Sequence, residues 1–456
     1  MSTIASISTA PGIGGIGIIR MSGEKTFEIL GKIFQPKTYQ KIEDIKGYTI
    51  KYGHIIENKE IIDEVLVSYF KAPRSYTTEN MCEINSHGGN IIVKKILEMC
   101  LKNGAELAEP GEFTKRAFLN GRIDLAQAES VIDVINAKSD KEAKSGIKQL
   151  EGYLSSEIKG IKQEILDVLV NIEVTIDYPE YDTPEVQEQE IRQMLESVGN
   201  KLEKLEKSFD NGKIIKDGIK TAIIGKPNAG KSSLLNAILK EDRAIVTDIA
   251  GTTRDTIEEF VTINGIPLNL VDTAGIREAS DEVEKIGVEK SIKQANDADL
   301  IIAIFDSSKN LTDEDLEILE LIKNKKSIIL LNKSDLNAKI NENDSRFTDI
   351  TDNIIKISAL NKTGIDLLYE KISNMFNLNE INLDNDILIT NIRHKNIISK
   401  SLDNVKKSKE ALEMNLPIDI ITIYIKNVLE DLGEITGEVV TEDIINEIFS
   451  KFCLGK

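Results

Sequence analysis

The chain has 456 residues, of which 29% are charged and 41% hydrophobic, with a formal net charge of -19. That length sets an expectation of two to four domains. The acidity repels membranes and nucleic acid on average, so a nucleic-acid site has to be a local basic patch. The 3 cysteines (Cys82, Cys100, Cys453) include no CxxC pair, which argues against a disulfide framework or a cysteine zinc site.

Residues 1–118 combine glycine with short β-type runs such as "GIGIIRM" and "DEVLVSYF", and a helix is expected over 89–103. This is an α+β texture, read as an N-terminal domain. "GIGGIG" at 12–17 satisfies the dinucleotide spacing G-x-G-x-x-G. Pro11 precedes it, however, and strand-like sequence follows where a helix is required. It reads as a tight loop whose backbone approaches something closely. Residues 119–217 are helical in pattern, with Pro179 and Pro184 as interruptions, and the pattern returns over 378–456. These two flanks are read as one discontinuous all-α domain. Between them, over 218–377, the apolar runs "IKTAIIG", "IPLNLVDTAG", "LIIAIFD", "SIILLN" and "NIIKIS" alternate with amphipathic helices. That is the pattern of a mostly parallel sheet covered on both faces, with Asn264-Gly265 as a hairpin turn. No basic leader followed by an apolar core and no membrane-length apolar run occurs, so neither a signal peptide nor a span is expected.

The inserted α/β part carries the chemistry. "GKPNAGKS" at 225–232 fits G-x-x-x-x-G-K-[ST] between a strand and a helix. Backbone N–H groups of Asn228, Ala229 and Gly230, and of the helix start at Lys231, Ser232 and Ser233, would cradle phosphates. Lys231 would reach the β/γ-phosphates and the Ser232 hydroxyl would bind Mg²⁺. "GTTRD" at 251–255 offers Thr253 as a second Mg²⁺ ligand. "DTAG" places Asp272 toward Mg²⁺ and the Gly275 N–H toward the γ-phosphate, with Thr273 and Ala274 between them. "NKSD" supplies Asn332, Lys333 and Asp335; the Asp335 carboxylate can accept from the ring N–H and amino group of guanine, a pair that adenine lacks. "SAL" supplies Ser358 and the Ala359 N–H, which can meet the guanine carbonyl. Arriving in chain order at strand ends, the set points to a P-loop (Ras-like) G domain that hydrolyses GTP. The position after D-x-x-G is Ile276, which cannot orient water. A polar group from elsewhere must act, and "REASDEVEKIG" offers Glu278, Asp281, Glu282 and Glu284, most of which also suit a solvated acidic loop. The Asn228 side chain either serves the turn or binds a cation near the phosphates.

"RAFLNGRIDLAQAES", "IDYPEYD", "TDIAGTTRD", "DTAGIREASDEVEKIG" and the terminal "FCLGK", together with the phosphate loop, resemble the MnmE (TrmE) family of tRNA-modification GTPases over essentially the full length. The resemblance implies a multidomain fold: an N-terminal α+β domain that binds a tetrahydrofolate and dimerises, a helical domain, and an inserted G domain. It implies a homodimer whose G domains join in a K⁺-dependent way. It also implies an MnmG (GidA)-type FAD protein as partner in a heterotetramer, tRNA as substrate, and a cytoplasmic setting. The reaction implied is addition of an aminomethyl or carboxymethylaminomethyl group to C5 of the wobble uridine, with formyl- or methylene-tetrahydrofolate as one-carbon donor. By matching position, Asn228, Thr247, Ile249 and Thr252 would surround K⁺. Asp248, Ala250 and Gly251 lie in the same nucleotide-binding run, and Glu284 would orient the water. The folate positions match Arg20, Glu83, Arg122 and Lys456. "SYTTEN" at 75–80 departs from the more usual S-Y-T-G-E-D, and Arg122 stands where Lys is common, offering a planar fork for a point charge. Arg20 or Arg122 could pair folate carboxylates and Glu83 could accept from pterin N–H groups, although each alone also reads as a surface ion pair.

Cys453 is the fourth residue from the end, the place of a prenylated cysteine, but Gly455 and Lys456 do not fit a C-a-a-X box. The residues leave open an apolar plug. The resemblance places a thiol beside the folate, where Lys456 could lower its pKa. His87 in "HGG" reads as structural, and Cys82 and Cys100 as small core fillers. The alternative to the modification enzyme is a ribosome-assembly or signalling GTPase without modification chemistry. Residues 1–118 and "FCLGK" count against it, because such switches more often append a Lys/Arg-rich RNA-binding segment.

Overall fold

A computed structural model of the chain describes residues 1–38, 45–177, 188–239, 259–270, 296–379 and 387–456. Pro179, Pro184, residues 247–253 and 272–275, Ile276 and Glu284 lie outside the described residues. The N-terminal sheet is built from β1 (Ile4–Ile7), β2 (Ile16–Ser22), β3 (Phe34–Pro36), β4 (Thr49–Glu57), β5 (Glu60–Phe70), β6 (Met81–His87) and β7 (Glu106–Leu107). Their order is β3-β4-β5-β6-β2-β1-β7. Period-two alternation in β2 turns Gly17, Ile19 and Met21 into the core and leaves Arg20 on the other face. Helices α1 (Thr26–Ile33) and α2 (Asn90–Lys102) pack Ile29, Leu30, Val93, Ile96 and Met99 into the same core. The helix expected over 89–103 is therefore α2, within one residue at each end. A Cβ at Gly17 would collide with the Val93 side chain. The glycine loop before β2 approaches backbone closely, as its sequence suggests: Gly14 N–H donates to Gly88 O at 3.4 Å, and a Cβ at Gly88 would strike Gly14 O. Cys82 and Cys100 are fully buried in this core, where burial pushes both thiols up.

After α3 (Glu112–Leu119) come α4 (Leu125–Asn136), α5 (Asp140–Leu150), α6 (Tyr153–Asp177) and α7 (Glu188–Asp217). Asp124 caps α4 in a reciprocal box with Gln127, and Ser139 caps α5 by accepting from Glu142 N–H. The chain then enters a second sheet of β8 (Ile219–Ile224), β9 (Glu259–Ile263), β10 (Ile266–Leu270), β11 (Leu300–Asp306), β12 (Ser327–Asn332) and β13 (Ile354–Lys356), ordered β13-β12-β11-β8-β10-β9. Every adjacent pair is parallel except β9–β10. Continuous burial along β11 and β12 shows why their sequences lack alternation: both faces are covered. Helices α8 (Lys231–Leu239) and α11 (Ile365–Met375) contribute to one face, and α9 (Asp313–Ile322) to the other, beside the single turn α10 (Ser345–Thr348).

The chain returns through α12 (Ile392–Glu413), α13 (Ile418–Thr436) and α14 (Glu442–Ser450). Leu154, Ile158, Ile161, Ile165, Leu169 and Ile172 of α6 recur at helical spacing and meet Ile191, Val198, Leu202 and Leu205 of α7 and Ile421, Ile425, Val428 and Leu432 of α13. The two sequence-distant flanks thus share one apolar core. A buried polar knot fixes their register. Glu129 of α4 accepts from Arg393 Nε at 3.0 Å, Arg393 Nη2 at 2.7 Å, His394 Nε2 at 2.7 Å and Asn391 Nδ2 at 3.0 Å. Burial opposes ionisation of Glu129, but His394 and Arg393 outweigh it and hold the carboxyl at about 2.

Glu129→Gln leaves buried His394 and half-buried Arg393 against a neutral partner, and breaking a buried pair costs about 3–5 kcal/mol. Urea unfolding followed by helical circular dichroism is expected to show that loss. Because the folded-state pKa lies below the ordinary 4.5, the stabilisation is full above that pH and disappears as pH falls toward 2. The variant should accordingly lose part of the acid limb of the stability profile, and an unchanged midpoint at neutral pH would contradict this reading.

Candidate functional site

The nucleotide-binding candidates converge at the C-terminal ends of β8, β12 and β13. Between β8 and α8 the loop turns through Asn228 at φ 62° and Gly230 at φ 109°. Asparagine tolerates the left-handed region better than most residues, so the turn reading of Asn228 has a direct backbone basis. A Cβ on Gly230 would run into the Asn332 amide. Lys231 Nζ donates to Gly225 O at 2.6 Å and Lys226 O at 2.9 Å, curling the side chain over the loop, and burial lowers its pKa. Ser232 and Ser233 occupy the first turn of α8, where N–H groups and the helix dipole favour anions.

Asn332 is 3% exposed and joins the two halves of the site. Its Nδ2 donates to Ala229 O at 2.8 Å and its Oδ1 accepts from Ala359 N–H at 3.0 Å. Asp335 Oδ1 accepts from the Ser358 hydroxyl at 2.5 Å, fixing the carboxylate beside the Ala359 amide. Lys333, at φ 63°, bonds Asp306 Oδ2 at 2.7 Å. Burial raises the Asp306 pKa, but Lys333 and Ser308 outweigh it and lower it. Asp306 is a site-supporting residue that the motif reading does not single out; its signal is a polar residue ending the apolar run "LIIAIFD". Lys226 is likewise held at its far end, by Thr312 Oγ1 at 2.6 Å and Asp315 Oδ2 at 2.7 Å. Among the described residues no group of three or more His, Cys, Asp and Glu side chains could hold a metal ion. Ser232 is the described member of the expected Mg²⁺ pair; Thr253, Asp272 and Gly275 are outside the described residues, as are Thr247, Ile249 and Thr252 of the expected K⁺ set.

The second cluster lies on the N-terminal sheet. Arg20 and Glu83 are directly opposite across β2 and β6, and Arg20 Nε and Nη2 bond Glu83 Oε1 at 2.9 and 2.7 Å. Arg20 Nη1 donates to Gly455 O at 3.2 Å, and its guanidinium lies 5.6 Å from the Phe113 ring centroid and 5.7 Å from that of Tyr76. Arg122 stacks on the Tyr76 ring at 4.8 Å and donates to Tyr76 O. The tail is stitched down by Gly111 N–H to Cys453 O and by Phe113 N–H to Lys456 O. A Cβ at Gly455, where φ is 84°, would meet Ile7 O. Burial, and secondarily Arg20, lowers the Lys456 pKa. Cys453 is exposed, whereas Phe449 and Phe452 fill the apolar space against Leu125 and Ala128. The plug is therefore made by the two phenylalanines and not by the thiol. Arg20, Glu83, Arg122, Lys456 and the Cys453 segment thus surround one surface. The cations, the ring and the thiol there suit a planar, carboxylate-bearing ligand.

The departure "SYTTEN" has a backbone consequence. Thr78 sits at φ 63°, the left-handed region that a glycine adopts freely. The loop is held by Ser75 Oγ to Glu79 O at 2.6 Å, Asn120 Nδ2 to Thr77 O at 2.7 Å, and Ser22 Oγ to Thr77 Oγ1 at 2.7 Å and Glu79 Oε2 at 2.7 Å. Arg116, nearly buried, bonds Glu79, Glu112 and Ser2 O beneath it. Outside these clusters, His87 pairs Asp63 at 2.6 Å on the surface, and the Asp63 hydrogen bond raises its pKa.

The sequence pattern of the MnmE helical domain matches residues 125–453, and that of the GTP-binding protein TrmE N-terminus matches residues 3–122. Similar relatives include the tRNA modification GTPase MnmE of Clostridioides difficile (strain 630), 50% identical over 454 residues that span 100% of this chain and 99% of the relative. The protein of that name from Finegoldia magna is 51% identical over 453 residues, covering 99% of each chain. That from Alkaliphilus oremlandii is 49% identical over 456 residues, covering 100% of this chain and 99% of the relative.

Thr78→Gly removes a β-branched residue from left-handed backbone, a gain of about 1–2 kcal/mol less the added chain entropy of glycine. Thermal or urea unfolding is expected to show the variant as more stable; a destabilised variant would mean that Thr78 contributes contacts exceeding the strain.

Proposed function

The chain belongs to the MnmE family of tRNA modification GTPases, and from that premise we propose that it is the GTP-hydrolysing subunit of a complex that adds an aminomethyl or carboxymethylaminomethyl group to C5 of the tRNA wobble uridine. The domain limits proposed are 1–118 for folate binding and dimerisation, 119–217 with 378–456 for the helical domain, and 218–377 for the G domain. The observation that carries this reading is the convergence of Arg20, Glu83, Arg122 and Lys456 with the tail bearing Cys453. A plain GTPase switch has no need of such a ligand surface remote from its nucleotide loops.

In this reading Lys231 and residues 228–233 hold the phosphates, Asp335 and Ala359 select guanine, and Ser232 with Thr253 binds Mg²⁺. Asn228, Thr247, Ile249 and Thr252 hold K⁺ when two G domains join, and Glu284 orients the attacking water. Arg20, Arg122 and Lys456 bind a tetrahydrofolate derivative through its carboxylate-bearing and polar edges. The folate supplies the one-carbon unit when bound. Cys453 is exposed and lies three residues before Lys456 on the segment that reaches this surface. An MnmG-type FAD protein completes the heterotetramer. Homodimer formation is supported by Ile50 at 63%, Tyr52 at 37% and Leu66 at 47% exposure on the uncovered face of β4 and β5. No described helix is long and apolar enough to cross a membrane; a cytoplasmic location is part of the proposal.

Nucleoside mass spectrometry of tRNA from a strain lacking the protein is expected to show wobble uridines without the C5 group, and an unchanged nucleoside profile would remove the modification reading. GTP turnover of the purified chain in matched KCl and NaCl is expected to be much faster in K⁺; equal rates would dismiss the K⁺ set independently of the tRNA result.

A further inference from the structure

Helix α5 touches both places where the chain crosses between the helical bundle and the second sheet. Its Gln149 Nε2 donates to Leu388 O at 3.1 Å and Thr390 Oγ1 at 3.0 Å on the return crossing. At its other end Lys141 Nζ lies 3.5 Å from Leu378 O, just beyond α11. On the outgoing crossing, Lys216 at the end of α7 pairs Asp133 of α4 at 2.8 Å, next to the buried Glu142. A third contact is less expected. The aliphatic stem of Lys141 lies against the β9–β10 turn, where a Cβ on Gly265 would sit 3.2 Å from Lys141 Cγ. Asn264 and Gly265 take φ 51° and 77°. Asn264 Nδ2 bonds Ser373 Oγ at 2.9 Å and Asn379 Oδ1 at 3.1 Å, so the turn is tied to the same exit point that Lys141 touches.

The hairpin has a particular place in the chain. β9 begins shortly after "GTTRD", and β10 ends two residues before "DTAG". One end of this short antiparallel ribbon is therefore covalently attached to the two motifs read above as offering the second Mg²⁺ ligand and the γ-phosphate contact, and the other rests on Lys141. β10 is also hydrogen-bonded to β8, which leads into the phosphate loop. Asn269 Nδ2 of β10 bonds Asp217 O at the outgoing crossing. A five-residue strand is about 17 Å long and nearly inextensible, so displacement at the motif end reaches the turn with little loss.

We propose that Lys141 is a positioning residue that receives nucleotide-state displacement from the β9–β10 turn and passes it through α5 to the helical bundle. The inference rests on the reading above that the chain binds and hydrolyses GTP. The two ends of α5 then act together: Lys141 moves with the turn, and Gln149 carries the movement to residues 388–390, which feed α12 and its bond to Glu129. Lys141 touches none of the residues assigned to nucleotide binding. Burial lowers its pKa, consistent with an ammonium partly withdrawn from water.

The test is hydrogen–deuterium exchange of the full chain bound to GDP or to a non-hydrolysable GTP analogue, read at the amides of α5. The unaltered chain is expected to differ between the two states by roughly tenfold in exchange rate at that helix. Lys141→Ala should bring the two states together, and Lys141→Arg should keep the difference. If Lys141→Ala does not fold, Lys141→Ser, which also removes the stem from the turn, carries the same expectation, whereas Lys141→Met, which keeps the stem against Gly265, should keep the difference. Calorimetric affinity for GDP and for the analogue is expected to be unchanged. A state difference that survives Lys141→Ala, equal exchange in both states of the unaltered chain, or a loss of nucleotide affinity would each overturn the proposal. The readout uses no tRNA, so a failure of the modification reading is distinguishable from a failure of this one.

Discussion

One buried amide holds the nucleotide site together. Asn332 terminates an apolar central strand, and its side chain spans from the phosphate loop carbonyl at Ala229 to the base-loop amide at Ala359. Neither loop is stiff in isolation, because one turns through left-handed Asn228 and Gly230 and the other is a short turn after a three-residue strand. In a low-dielectric interior an amide satisfied at both ends is costly to displace. The distance between where phosphates and where a base would lie is therefore set by one side chain. Lys226, Lys333 and Asp335 are held by partners of their own, so among the described residues the phosphate and base loops are positioned by the fold itself.

Much of this was legible in the sequence, for reasons that differ by element. The second sheet announces itself because strands covered on both faces have to be continuous apolar runs, and "SIILLN" has few other uses. The hairpin follows from Asn264-Gly265, since few residue pairs accept two positive φ values. The phosphate and base motifs are readable because their chemistry restricts residue type and because the site is assembled from contiguous segments. Glu129 was not readable: its partners Arg393 and His394 stand more than two hundred residues away, and a glutamate in "LAQAES" looks like any surface carboxylate. Arg116 is hidden for the same reason, as is the support that Asp306 gives Lys333. Thr78 shows the reverse limit, where the sequence departure is visible but its backbone angle is not.

The ends of the chain show how a remote contact completes local chemistry. Arg20 could have been satisfied by Glu83 alone, since the two face each other across adjacent strands. The extra bond to Gly455 O brings the last residues over the sheet. Phe449 and Phe452 anchor that segment, which leaves Cys453 in solvent and Lys456 half-buried. Apolar side chains fix the tail and polar ones are left to act, a division of labour that hydropathy along "SKFCLGK" does not reveal.

The close approach of α7 to the returning chain has a topological consequence. A Cβ at Gly212 would collide with Ile389 O, so the outgoing and incoming segments run backbone against backbone. A whole α/β unit is spliced between two points that nearly touch. A host so arranged needs only a short bridging loop to close upon itself, and such a doorway lets a guest fold be acquired, exchanged or removed without rebuilding the bundle.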